Sequence, residues 1–389
     1  MALNIPLITE TLKTCLPQRD FIALHEPQFK GREWEYVKEC LDTGWVSSVG
    51  KFVDRFEQQL TEYTDINHAI ATVNGTAALH ICLLLAGVQT DDEILTPALT
   101  FIASTNAIAY CRSIPHFVDC DEHTLGVDPI ALADYLQTIA YLKNDVCYNK
   151  HTHRPIRALL VMHTFGHPVA LDPLQDLCQR YHLTLIEDAA EGLGSYYKGQ
   201  HVGHHGKLSA LSFNGNKVIT TGGGGAILTN DATLAKQAKH LTTTAKIPHA
   251  WRFDHDQLGY NYRLPNINAA LGCAQLEQLP NFLNAKRQLA HRYQQAFAAI
   301  EGVHIFCEPA DTKGNYWLNA LLLDKLYADQ QTALLTHTNQ HGIMTRPAWT
   351  LQHKLPMYQT CPRMALPIAE SLEARLINIP SGQGLLNDD

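Results

Sequence analysis

Four times between residues 69 and 181 the chain passes from a short apolar run into a helix-like segment. AIATV (69–73) leads into TAALHICLLLAG, EILTP (93–97) into TFIASTNAIAY, IPHFVD (114–119) into DPIALADYLQTIAYL, and RALLVMHTFG (157–166) into LDPLQDLCQRYH. A fifth run, LTLIEDAA (183–190), ends in an acidic turn, and LSALSFN and GGAILTN follow before the helical DATLAKQAKHLTT. Short strand, turn, helix, short strand is the pattern of βαβ units on a parallel sheet covered by helices. From about Asn261 the texture changes to a long helical periodicity, then to mixed short strands and helices. The expected organisation is a large α/β domain over residues 1–260, including an N-terminal arm, and a smaller α+β domain over 261–389. YLKNDVCYNKHTHRPIR (141–157) reads as a polar, irregular surface insertion.

In an open parallel sheet, ligands bind beyond the carboxyl ends of the strands. Asn74-Gly75-Thr76, Thr100-Phe101, His163, Asp188 and Ser212 all stand at or just after predicted strand ends, so separate segments converge on one edge. A formal charge of −8 weighs against non-specific binding to nucleic acid or to an anionic membrane, while leaving room for an anionic small molecule held by local donors. No apolar run approaches the roughly 20 residues that span a bilayer. The start, MALNIPLITETLKTC, lacks the basic and apolar regions of a secretory signal. The ten cysteines include no CxxC pair and read as reduced, mostly buried thiols. These features lead us to expect a cytoplasmic enzyme. His151, His153, His201, His204 and His205 lie in polar stretches without carboxylates at ligand spacing, and are expected on the surface with no metal bound.

The stretch SFNGNKVITTGGGG (212–225) places Lys217 just before four consecutive glycines. A Walker A loop needs its lysine after the glycines and at a helix start, so that reading fails. A flexible linker does not suit a tract flanked by strand-like runs. There remains a lysine at a turn, with glycines that let the chain pass close to a flat ligand. A lysine amine bonds covalently to an aldehyde, and partial desolvation raises its nucleophilicity. Taken alone, Gly75-Thr76 is either a phosphate cradle or an ordinary helix start. Asp188 suits a metal ligand, a base, a partner for a protonated ring nitrogen, or a helix cap. Phe101 suits a ring face or the core. Together they match pyridoxal phosphate chemistry.

The chain resembles the DegT/DnrJ/StrS nucleotide-sugar aminotransferases, fold-type-I pyridoxal-phosphate enzymes, from about Phe21 onward. GWVSSVGKFVDRFE (44–57), VNGTAAL (73–79), TPALTFIASTNAI (96–108), IEDAAEGLGS (186–195), SFNGNKVITTGGGG and GYNYRLPNINAALGCAQLEQL (259–279) carry the likeness. The resemblance implies that Lys217 bonds to the cofactor, that Asp188 pairs with its ring nitrogen and that Phe101 stacks on the ring. It also implies that Gly75, Thr76 and Ser212 hold the phosphate. Asn261, on residue type alone a turn residue, would reach the cofactor phosphate of the neighbouring subunit in a homodimer. Many members have glutamine or histidine in place of Glu191, near the phenolic oxygen, and glutamate in place of Gly223. Both variants, with RPAWTLQHKLPMY (346–358) and NYWLNAL (315–321), resemble the branch acting on UDP-4-keto-6-deoxy-N-acetylhexosamines with glutamate as amino donor. His163, Trp349 and His353 are the candidate substrate or ring contacts. Relatives that dehydrate the sugar typically carry histidine at the lysine position, so Lys217 favours amino transfer. A non-catalytic regulator would need an appended DNA-binding segment and a basic face, and neither is visible.

Overall fold

In the computed structural model, which describes residues 2–386, seven strands form the path of a nine-stranded central sheet. They are β1 (His68–Thr72), β2 (Glu93–Pro97), β3 (Ile114–Val118), β4 (Pro155–Met162), β5 (Thr184–Asp188), β6 (Leu208–Ser212) and β7 (Gly225–Thr229). Their spatial order is β1-β7-β6-β5-β4-β2-β3. Neighbours from β6 through β3 are parallel, whereas β7 is antiparallel to both β6 and β1. The reversal follows from the connection: residues 213–224 join β6 to β7 without the helix that a parallel crossover requires. The α/β class with a mostly parallel sheet is thus as expected.

Alternation along the strands sorts the core. Ile70, Ile94, Leu160, Ile186, Ala210 and Ile227 pack against residues of the helices Gly75–Leu85, Ile102–Tyr110 and Ala232–Thr242. Their strand neighbours turn to the opposite face. There, Leu95, Val161 and Leu185 meet the helices Pro129–Ile139 and Leu171–Tyr181, and Ala71, Leu211 and Leu228 meet Lys51–Thr64 and the start of Asn266–Phe297. Each fully buried Leu or Ile contributes about 1.5–3 kcal/mol of transfer free energy. The same period of two governs the strand ends: Met162, Asp188 and Ser212 share the parity of Leu160, Ile186 and Ala210, while Glu187 and His163 have the other.

Two elements differ from expectation. The 141–157 stretch is not irregular: Ala140–Lys143 and Val146–Asn149 form an antiparallel hairpin that adds to β4 through Cys147 and Ile156. Asn144 and Asp145 both take left-handed backbone (φ 51° and 60°), as a two-residue hairpin turn demands, and Tyr141 stacks on Tyr148 across the strands. The N-terminal helix Ile5–Cys15, expected with the large domain, packs elsewhere. Ile8, Leu12 and Cys15 join Leu289, Tyr293 and Phe297 of the long helix and a four-stranded antiparallel sheet containing Asn319–Leu323 and Leu376–Ile379. No helix among the described residues is long and apolar enough to cross a membrane.

Candidate active site

The carboxyl ends of β1, β4, β5 and β6 and the turn after β2 surround a cavity of about 330 Å³. Gly75, Thr76, Phe101, Asp188, Glu191, Ser212, Lys217 and Trp349 all line it, so eight of the sequence candidates are brought together. Asn74 caps the helix behind Gly75, its Oδ1 accepting the Ala77 N–H at 2.8 Å. The N–H groups of Gly75 and Thr76, in the first turn, have no intrahelical acceptor and carry the positive end of the helix dipole. A Cβ on Gly75 would stand 2.9 Å from the Ser212 Cβ, so glycine is what allows β6 to bring its hydroxyl beside these donors.

Asp188, 2 % exposed, accepts from Ser104 Oγ at 2.6 Å on Oδ2 and from the Ala190 N–H at 3.1 Å on Oδ1. Thr100 holds Ser104 in turn at 2.9 Å. Burial raises the Asp188 pKa, and the two hydrogen bonds only partly oppose it. The cation in the cavity wall, Lys217, pairs with another carboxylate. Its Nζ lies 3.3 Å from Glu191 Oε1 and 3.9 Å from the centre of the Trp317 ring. Trp317 is held by its Nε1–H, which donates to the Asn216 carbonyl at 2.7 Å. The other Glu191 oxygen accepts the Phe165 N–H at 2.8 Å. Phe165 has a left-handed φ of 57°, a costly backbone for phenylalanine, and its ring lies 4.9 Å from that of Trp349. Burial lifts the Glu191 pKa to about 7, with Lys217 and the Phe165 N–H pulling the other way.

The glycine tract serves the chain and not the cavity. None of Gly222, Gly223, Gly224 and Gly225 lines it, and a Cβ on Gly225 would meet the Asn74 carbonyl carbon at 2.5 Å. The glycines let β7 close against the turn that feeds the helix start.

His163 does not line the cavity: it has the parity of Val161, and its Nε2 lies 2.9 Å from Glu187 Oε2 on the opposite face. Glu187 also accepts the N–H groups of Gly203, His205 and Gly206; burial alone would raise its pKa, but the bond to His163 first, then those from Gly206 and Gly203, hold it at about 2. His353 is buried 6.5 Å from the Phe117 ring and also stays out of the cavity; its neighbour Gln352 donates to the Thr100 carbonyl instead. Asn261 is exposed and bridges to Thr243, away from this chain's own cavity. His201 is buried and accepts the Gly194 N–H at 2.9 Å, contrary to the surface position expected, whereas His151 and His153 are exposed. Among the described residues no group of three potential metal ligands converges.

Sequence reasoning did not single out Ser104, Asn214, Asn216 or Trp317. Ser104 follows Thr100 by four residues, one helical turn, inside a motif already quoted. Trp317 comes from far along the chain, and nothing in its local pattern ties it to Lys217.

Comparison with known proteins gives the family of the chain. The family model described as the DegT/DnrJ/EryC1/StrS aminotransferase family matches residues 27–389. The chain is 39 % identical over 368 residues to GDP-perosamine synthase of Escherichia coli O157:H7, covering 95 % of each chain. It is 34 % identical to GDP-perosamine synthase of Vibrio cholerae, covering 94 % of this chain and 95 % of that one. Among solved structures, DesI in the presence of its TDP-sugar product superposes with a TM-score of 0.83 at 25 % identity, covering 96 % of this chain and 91 % of that one.

Proposed function

Because this chain belongs to the DegT/DnrJ/EryC1/StrS aminotransferase family, we propose that it transfers the amino group of glutamate to C4 of a nucleotide-linked 4-keto-6-deoxy sugar. It is a pyridoxal-phosphate-dependent sugar aminotransferase. The observation that carries the residue-level reading is the juxtaposition of Lys217, Asp188 and the Gly75 helix start in one cavity. These residues fit the cofactor. The free N–H groups of Gly75 and Thr76 and the Ser212 hydroxyl form a phosphate cradle that a Cβ would fill. Asp188 is a buried carboxylate whose cavity cation is engaged elsewhere, and a protonated ring nitrogen would balance it. Phe101, 46 % exposed and 6.0 Å from Trp349, would cover a ring face.

When bound, the cofactor supplies an aldehyde for Lys217 and a ring that accepts electron density. Lys217 Nζ would hold the aldehyde carbon, and as a neutral amine it would take up and return the proton at the substrate carbon. Trp317 and Glu191 keep that amine within reach. Ser104 fixes the orientation of Asp188 toward the ring position. Asn261, exposed on this chain, is proposed to complete the site of a second copy in a homodimer.

Two nucleotides compete for the substrate. The reading of residues 346–358 favours UDP linked to a 4-keto-6-deoxy-N-acetylglucosamine, with a role in surface-polysaccharide or nonulosonate assembly. The names of the relatives favour an amino sugar on GDP, and their identity over nearly the whole chain makes GDP our first choice. The test incubates the purified enzyme with glutamate and GDP-, UDP- or dTDP-linked 4-keto-6-deoxy sugars, following the amino sugar by mass spectrometry. Amination of the GDP sugar supports the first choice and amination of the UDP sugar the second. Amination of none overturns the proposal.

A further inference from the structure

Lys286 is fully buried on the long helix, and among the described residues it forms no ion pair with a carboxylate. Its Nζ instead donates to the Ser381 carbonyl at 2.6 Å and to the Trp317 carbonyl at 3.1 Å, and lies 3.0 Å from His25 Nε2. The nitrogen thus has three polar partners. They come from three remote parts of the chain. His25 belongs to the segment before the helix Glu33–Thr43, Trp317 precedes Asn319–Leu323, and Ser381 follows Leu376–Ile379. The Ser381 N–H donates to the Leu24 carbonyl at 2.7 Å, so the segment after Leu376–Ile379 is joined to the segment around His25 here.

Trp317 is held at every polar backbone atom. Its N–H donates to Asn315 Oδ1 at 2.7 Å, and Asn315 Nδ2 donates to the Glu191 carbonyl at 2.7 Å. Its carbonyl accepts a hydrogen bond from Lys286 Nζ, and its ring lies under Lys217. A buried lysine is costly to desolvate, and an apolar side chain of the same length fills such a space at lower cost. What methionine would not supply is a fixed point for two carbonyls and an imidazole.

We propose that Lys286 is a positioning residue for the amino-transfer reaction, clamping the Trp317 backbone so that its ring holds Lys217 in place. The role rests on the reading of Lys217 as the reactive amine, and its test has one arm that does not depend on that reading. In the cofactor-free protein, acrylamide quenching of Trp317 is isolated by subtracting the signal of a Trp317→Phe variant. Lys286→Met is expected to raise it severalfold while far-ultraviolet circular dichroism stays native. In the cofactor-loaded protein, the same variant is expected to slow the single-turnover loss of visible cofactor absorbance on adding glutamate (bleaching) about tenfold or more, as misplacement of a reacting group does. The glutamate concentration for half-maximal rate should change much less, and Lys286→Arg should recover part of the rate. Should Lys286→Met not fold, His25→Leu removes one of the three contacts and is expected to move both readouts the same way by a smaller factor. A folded variant with Trp317 quenching and bleaching rate both unchanged overturns the clamp. A wild-type protein that takes up no cofactor overturns the proposed function instead, and the quenching arm still decides the clamp.

Discussion

The amine of Lys217 sits 3.3 Å from Oε1 of Glu191, and both groups are walled in by Trp317, Phe165 and the end of β5. A carboxyl in that place holds its proton up to a pH of about 7, because burial disfavours the charge more than Lys217 favours it. The folded chain therefore binds this proton more tightly than the unfolded chain does. Its contribution to stability is complete below the ordinary carboxylate pKa of 4.5 and is lost as the pH rises toward 7. Glu191→Gln is expected to flatten the pH dependence of stability between those values by roughly 3 kcal/mol. Urea denaturation of cofactor-free protein at a series of pH values measures it, and parallel curves for the two proteins would refute the assignment.

Asp188 is a second case of function set against stability. Burial raises its pKa, so the ionised form costs the folded state free energy as the pH rises above 3.8. Asp188→Asn should raise the melting temperature of the cofactor-free protein at neutral pH by a few degrees. Turnover should fall by about a thousandfold or more, since an amide does not stabilise a protonated ring nitrogen. Calorimetry paired with an amino-transfer assay checks both halves.

The glycines separate binding from folding. Gly75→Ala places a methyl 2.9 Å from the Ser212 Cβ, and should weaken cofactor binding about ten- to a hundredfold at a smaller cost in stability than Gly225→Ala. Gly225→Ala drives a methyl into the Asn74 backbone at 2.5 Å and should cost about 1–3 kcal/mol of stability as overpacking does. Equilibrium dialysis and urea denaturation distinguish the two.

The hairpin turn offers a test remote from the site. Asp145 holds φ at 60°, where glycine is unstrained. Asp145→Gly should stabilise the chain by a few tenths of a kcal/mol, up to about 1 kcal/mol, and leave turnover unchanged. A loss of stability would mean that its 3.7 Å approach to His182 outweighs the backbone strain.

Much of this was legible in the chain itself, for a physical reason. A buried parallel strand needs an apolar run, and its end needs a turn, so Gly75, Asp188 and Ser212 could be placed on one edge from local pattern. Side-chain parity was the missing variable. Counting from Asp188 puts Met162 and Ser212 on its side of the sheet, and the same count sends His163 to Glu187. The hairpin at 140–149 was hidden because its turn uses Asn-Asp in place of a glycine signal, and its first strand is exposed from Tyr141 to Lys143 without alternation. The place of the N-terminal helix depends on Leu289, Tyr293 and Phe297, nearly three hundred residues away, which no local window relates to Ile8. The same holds for Trp317 under Lys217, a tertiary pairing 100 residues apart.

The central claim is that Lys217, and no other lysine, carries the cofactor. Borohydride reduction of the protein loaded with pyridoxal phosphate, followed by peptide mass spectrometry, tests it directly. The account predicts a single pyridoxyl phosphate on the peptide containing Lys217, absent from Lys217→Ala. A label on Lys286 or another lysine, or no label on protein that retains its fold, would contradict it.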